Sequence, residues 1–133
     1  MKESKGFNII LIILAVTLVV FGGWRLVSPL SFYTFSALVL PNEAGLLSEV
    51  RGAGGIITGS GLVVALGVFR HDWSRTSIML AAVVFLSLGL GRVIGFALDG
   101  SPGPGVIPGM AIELACGALA LFAYFKYRET DVA

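Results

Sequence analysis

Four long apolar segments dominate the pattern of hydrophobic and polar positions along this chain. They cover residues 7–27, 50–69, 77–98 and 106–125, with boundaries good to a few residues. None of them alternates apolar and polar residues with a period of two, as a half-buried strand does. Each approaches the ~20 apolar residues that a helix needs to cross a bilayer, where backbone groups must be satisfied internally. The pattern therefore predicts an all-α, integral membrane four-helix transmembrane bundle, a single domain over residues 1–133.

The connections between the predicted helices differ in kind. Residues 70–75 form a short polar turn, and residues 99–105 contain the glycines and prolines that break helices. Both turns make the helices they join antiparallel neighbours. Residues 28–48 form a longer first loop that carries Phe32, Tyr33 and Phe35. Since aromatic residues cluster at membrane–water boundaries, we expect an interfacial first loop, including a short amphipathic helix over the mouth of the bundle.

Composition narrows the class of protein further. The chain is 56% hydrophobic and only 13% charged, whereas soluble domains carry about 25% charged residues. A net charge of +1 gives no basic field for nucleic acid. His71 is the single histidine and Cys116 the single cysteine, which argues against a metal site, and we expect no cofactor.

Basic residues in the loops predict the orientation. Arginine and lysine are enriched on the cytoplasmic side of membrane proteins, and the side of the chain termini carries more of them. That side holds Lys2, Lys5, Arg70, Arg75, Lys126 and Arg128, and the other holds Arg25, Arg51 and Arg92. We therefore expect a multi-pass protein of the inner (plasma) membrane with both termini in the cytoplasm.

Five of the charged residues on the opposite, periplasmic-like side lie close to the ends of the predicted helices and are candidates for a site. They are Glu49, Arg51, Arg92, Asp99 and Glu113. Because a charge near hydrocarbon is costly unless it is paired, hydrated or used, these residues form the candidate polar cluster at the mouth of the bundle. We expect the Glu113 carboxylate to lie within ion-pair distance of Arg51 or Arg92.

Glycines accompany three of these charges. Gly55 and Gly59, like Gly91 and Gly95, have the GxxxG spacing that lets helix backbones approach closely. Gly109 and Gly117 flank Glu113 at four residues on either side. All six are expected to be helix-packing positions, with at least one GxxxG pair at a contact inside the chain and another small-residue face serving assembly. Whether the neighbouring charges hold the helices in register or form a functional site is left open by the sequence.

Four short motifs resemble those of a known family. They are Glu49-Val50-Arg51, Gly91-Arg92, Asp99-Gly100-Ser101-Pro102 and Glu113-Leu114. In this order they resemble a family of small bacterial membrane proteins catalogued as domain of unknown function 4345. The similarity runs from about Leu46 to Tyr127, and the first helix matches in character; Val50 stands where the family often has an aromatic residue. The resemblance implies a four-helix integral membrane protein and supplies no activity.

Two functions of different classes fit these observations. One is an accessory or lipid-binding subunit that contacts membrane lipid, other membrane subunits or another copy of itself. The alternative is a lipid-pocket enzyme, in which Glu113 performs isomerase-like acid–base chemistry on an apolar substrate. A closed bundle with an Arg–Glu pair favours the first, and an apolar cavity that ends at an unpaired Glu113 favours the second. The sequence does not decide whether the protein is an enzyme.

Overall fold

Five α-helices account for most of the computed structural model, which describes residues 5–132, with side chains described for residues 5–127. They are α1 (Lys5–Val27), α2 (Pro29–Phe35), α3 (Ala44–Phe69), α4 (Ser74–Asp99) and α5 (Ile107–Val132), with a 3-10 turn at His71–Trp73 before α4. There is no strand in this range. Lys2 and the side chain of Arg128, which entered the count of basic residues, lie outside the described part of the chain.

The long helices have the length and composition of membrane spans. Lys5–Val27, Ala44–Phe69, His71–Asp99 and Ile107–Tyr127 all qualify, which confirms the all-α four-helix transmembrane fold. Their outer faces carry large apolar side chains, such as Ile56, Val83 and Ile94, that are 72%, 60% and 58% exposed. A surface of this kind suits a bilayer, because hydrocarbon rather than water faces it.

Helix α3 begins six residues before the predicted boundary, at Ala44 rather than at residue 50. No proline follows Pro41 in this stretch, so nothing breaks the helix once it has started. Glu49 and Arg51 therefore lie one to two turns inside α3 instead of opening it.

The core forms where α1 packs along α3, α3 along α4, and α4 along α5. On α1 the buried positions include Leu11, Leu14 and Leu18, and on α4 they include Ile78 and Phe85. The contact of α1 with α5 is less extensive. The bundle is thus tight along α1–α3 and α4–α5 and looser between α1 and α5.

Glycines let α1 and α3 approach closely, but not the glycines that the sequence analysis selected. The buried positions of α3 repeat every three or four residues. They are Val50, Gly54, Ile57, Gly61, Val64 and Gly67. A Cβ atom added to Gly54 would lie 2.7 Å from the backbone nitrogen of Leu26. The close contact therefore uses Gly54 and Gly61, one and two positions away from Gly55 and Gly59.

Five of the six selected glycines do not meet another helix within the described chain, so neither GxxxG pair forms the expected internal contact, and a contact with another subunit stays a prediction. A Cβ atom added to any of these five would meet no atom within 4 Å. These are Gly55, Gly59, Gly91, Gly95 and Gly109. Gly117, by contrast, lies against Leu86 of α4. A helix turns about 100° per residue, so a one-residue error moves a position out of the interface.

Candidate functional site

An ion pair joins α4 and α5 at the end of the bundle where α1 and α4 end and α3 and α5 begin, which we call the mouth. Arg92 Nε donates a hydrogen bond of 2.7 Å to Glu113 Oε2. The Arg92 side chain is 31% exposed and that of Glu113 is 14% exposed. Gly89, one turn before Arg92, has its Cα against Leu114, so the helices are close enough for the two side chains to meet. This is one of the two pairings that the sequence predicted for Glu113.

Arg51 does not take part in this pair. Its Nη1 donates hydrogen bonds to the carbonyl oxygens of Leu26, at 2.6 Å, and Val27, at 3.0 Å. These carbonyls belong to the last turn of α1, where no further helical N–H is available to them. A cation is favourable at this negative end of the helix dipole. Arg51 therefore caps the C-terminus of α1 with its guanidinium.

Glu49 and Asp99 also lie apart from the ion pair. Both residues are exposed. Asp99 is the last residue of α4, and Gly100 follows it with a φ of 92°, a left-handed conformation that glycine adopts without strain at helix ends. The five residues of the predicted polar cluster thus do not assemble into one group, and only Arg92 and Glu113 meet.

Arg25 is the charged residue of the mouth that the sequence analysis missed, because it was counted only as a basic residue at the end of the first span. Its residue exposure is 8%, and its buried Nε has no hydrogen-bond partner among the described residues. The guanidinium carbon lies 4.6 Å from the centre of the Phe32 ring. A signal was present, since Leu18, Gly22 and Arg25 continue the buried face of α1 at intervals of four and three residues.

Helix α2 supplies the aromatic side chains around Arg25. Pro29 starts this helix directly after α1, as its fixed φ favours the first helical position. Phe32 is buried and meets the Trp24 ring edge-on, with ring centres 5.5 Å apart. The Trp24 indole N–H donates to the hydroxyl of Ser31 at 3.2 Å. The first loop thus contains the expected short helix, and it folds back on the mouth end of α1.

A cavity of about 290 Å³ lies between α1, α2, α4 and α5 at the mouth. It lies between α1 and α5, whose contact is less extensive than the contact of α1 with α3. Apolar side chains form most of its wall, among them Phe21, Phe85, Leu88 and Ile112. The segment after α2 and the start of α5 border it as well, and they approach closely because Gly105 lies against the Ser36 carbonyl.

The charged side chains that line the cavity are Arg25, Arg92 and Glu113. Arg92 lies seven residues before the end of α4 and Glu113 six residues after the start of α5, which at 1.5 Å per residue is a depth of roughly 10 Å. The cavity therefore joins an apolar wall to two cations and one anion near the mouth of the bundle.

The described side chains contain no group of three or more histidine, cysteine, aspartate or glutamate residues that could hold a metal ion. Cys116 is a free, partly buried thiol one turn after Glu113.

Comparison with known proteins places the chain by family alone. The family model described as "Domain of unknown function (DUF4345)" matches residues 6–124, which includes the first helix as well as the segments that carried the resemblance. None of the curated proteins and none of the solved structures compared matches the chain.

Proposed function

We propose that this chain, which belongs to the DUF4345 family of domains of unknown function, is a membrane protein that binds a lipid-like amphiphile in the cavity at its mouth. The observation that carries the proposal is the cavity itself, in which an apolar wall ends at charged groups. Sites for small ligands are concave, mostly apolar and equipped with a few polar groups that fix orientation. Their usual volumes begin near ~300 Å³, which suits one chain of a lipid.

The packing of the bundle supports binding over a purely structural role. A bundle that serves only as an accessory contact needs no cavity, and α1 could close against α5 as it does against α3. Instead, α2 and the segment after it border an open space. The glycines of α3 that face outwards, Gly55 and Gly59, leave a smooth surface for another subunit or a second copy, which is compatible with the same role.

The enzyme hypothesis has less support than the binding hypothesis. It depended on an unpaired Glu113 at the end of the cavity, whereas Glu113 accepts a 2.7 Å hydrogen bond from Arg92. An acid or base must have its carboxylate available to the substrate. We therefore assign Glu113 the role of orienting Arg92.

The excess of basic residues on the side of the termini supports an inner-membrane protein whose N- and C-termini are cytoplasmic. In this orientation the cavity lies in the outer leaflet, and its ligand enters from that leaflet or from the periplasm.

Mass spectrometry of the protein extracted with its native lipids tests the proposal. Leu88→Trp fills the cavity, because Leu88 lines it, and Leu90→Trp is the matched control on the same helix, where Leu90 is 53% exposed on the outer surface. We expect a co-purifying amphiphile with the parent and with Leu90→Trp, and its loss with Leu88→Trp. Equal retention by both variants, with both folded by circular dichroism, would refute binding in this cavity.

A further inference from the structure

Arg25 is a buried cation without a counterion. It is more than nine-tenths buried, and none of the described hydrogen bonds or ion pairs includes it. Its guanidinium carbon lies 4.6 Å from the centre of the Phe32 ring, and such a cation–π contact is a weak substitute for hydration. A buried charge is costly unless it is paired and hydrogen-bonded. The fold thus holds Arg25 in a place that needs an anion.

The protein itself does not provide that anion. Glu113 is the single carboxylate among the residues that line the cavity, and its Oε2 is already engaged by Arg92 at 2.7 Å. With two arginines and one glutamate, the cavity has an excess of one positive charge. A ligand with one negative charge would neutralise it.

The geometry of Arg25 suits an oxyanion. A guanidinium donates its N–H groups in its own plane, in a fork that fits a carboxylate or a phosphate. The guanidinium carbon lies over the Phe32 ring, and none of the described hydrogen bonds uses the Arg25 N–H groups, so these donors are left for a partner. Arg25 lines the same cavity as the apolar side chains of Phe21 and Ile112.

We propose that Arg25 receives the anionic head group, a carboxylate or a phosphate, of a single-chain amphiphile whose tail lies along the apolar wall. This inference rests on the function proposed above and names the class of ligand. Phe32 of α2 positions the guanidinium, and the Arg92–Glu113 pair forms the far side of the polar end. Neutral lipids lack the group that Arg25 needs and bind less tightly.

Calorimetric titration of the delipidated protein in a non-ionic detergent tests this assignment. The probes are dodecanoate, dodecyl phosphate and dodecanol, with the partition of each into micelles measured without protein. We expect the two anions to bind about tenfold or more tightly than the alcohol, each tenfold step corresponding to about 1.4 kcal/mol. Arg25→Gln should remove this preference, and the control Arg75→Gln, at an exposed position outside the cavity, should retain it.

The outcomes separate the two proposals. If the parent binds none of the three probes, the proposed function is wrong, and this inference fails with it. If the parent binds the alcohol as tightly as the anions, the cavity remains a lipid site but Arg25 is not its anion receptor; this comparison holds even if Arg25→Gln does not fold. A preference that persists in a folded Arg25→Gln also overturns the assignment. If inorganic phosphate displaces bound dodecanoate as effectively as dodecyl phosphate does, the site binds a free anion, and the proposal of an amphiphilic ligand is wrong.

Discussion

Two consecutive glycines of α3 are expected to respond in opposite ways to the same substitution. A Cβ atom added to Gly54 would lie 2.7 Å from the Leu26 nitrogen, 2.8 Å from the Gly22 oxygen and 3.0 Å from the Leu26 Cα. All three are backbone atoms of α1, so no change of rotamer relieves the clash, and the helices must separate. A Cβ atom added to Gly55 would meet nothing within 4 Å.

The magnitudes follow from these contacts. Overpacking a tight interface costs about 1–3 kcal/mol, and alanine in a helix gains about 1 kcal/mol over glycine. The gain in helix propensity from glycine to alanine is the same for both variants, so it cancels when their stabilities are compared. We therefore expect Gly54→Ala to be less stable than Gly55→Ala by about 1–3 kcal/mol, and Gly55→Ala to be as stable as the parent or more stable.

Thermal unfolding followed by circular dichroism, at one detergent concentration, measures the difference. For a chain of this size we expect the Tm of the two variants to differ by on the order of 5–10 °C. Size-exclusion chromatography at the same concentration checks that both are in the same oligomeric state. If the two variants have the same Tm, or if Gly55→Ala lowers the Tm more than Gly54→Ala does, the assignment of the α1–α3 contact to Gly54 is wrong.

Three further predictions concern the charged residues. Glu113→Gln should destabilise the protein by about 1–3 kcal/mol, less than for a fully buried pair because Arg92 is partly exposed. The control Asp72→Asn, which breaks an exposed ion pair of 3.5 Å, should cost under ~1 kcal/mol. Equal decreases in Tm for the two variants would contradict this ranking. Arg51→Gln should lower the free energy of unfolding by about 1–2 kcal/mol, because two hydrogen bonds to the end of α1 are lost. Arg51→Lys should retain part of this stabilisation. The specific readout is faster hydrogen exchange in the last turn of α1 with Arg51→Gln. A reporter that is active only in the periplasm should stay inactive when fused after the last residue; activity there would reverse the proposed orientation.

Much of the fold could be predicted from the sequence because the bilayer allows few solutions. A run of about 20 apolar residues without charges crosses the membrane as a helix whatever its neighbours are. The short helix of the first loop was expected for a different reason, the aromatic residues of that loop, and its bounds were not predicted. The start of α3 was missed by six residues, because residues 44–49 carry no residue that either requires or forbids a helix.

The pair of Arg92 with Glu113 could be predicted as one of two candidates, since topology alone brings these side chains to the same end of the bundle. The sequence could not choose between Arg51 and Arg92, because the choice depends on how each helix is rotated about its axis. It also could not locate Arg25 in the cavity, although the period of the buried residues in α1 contained the information.

The sequence by itself determined the number of membrane spans, their order and the end of the bundle at which Arg92 and Glu113 lie. These properties follow from hydrophobicity and chain length, which act along the chain. The tertiary structure alone decided which glycines lie in an interface, which arginine meets Glu113, and that Arg25 is left beside a cavity. Several glycine registers are available in α3, and the one adopted, with Gly54 and Gly61 against α1, is selected by close packing between helices, a property of two surfaces that neither helix contains alone.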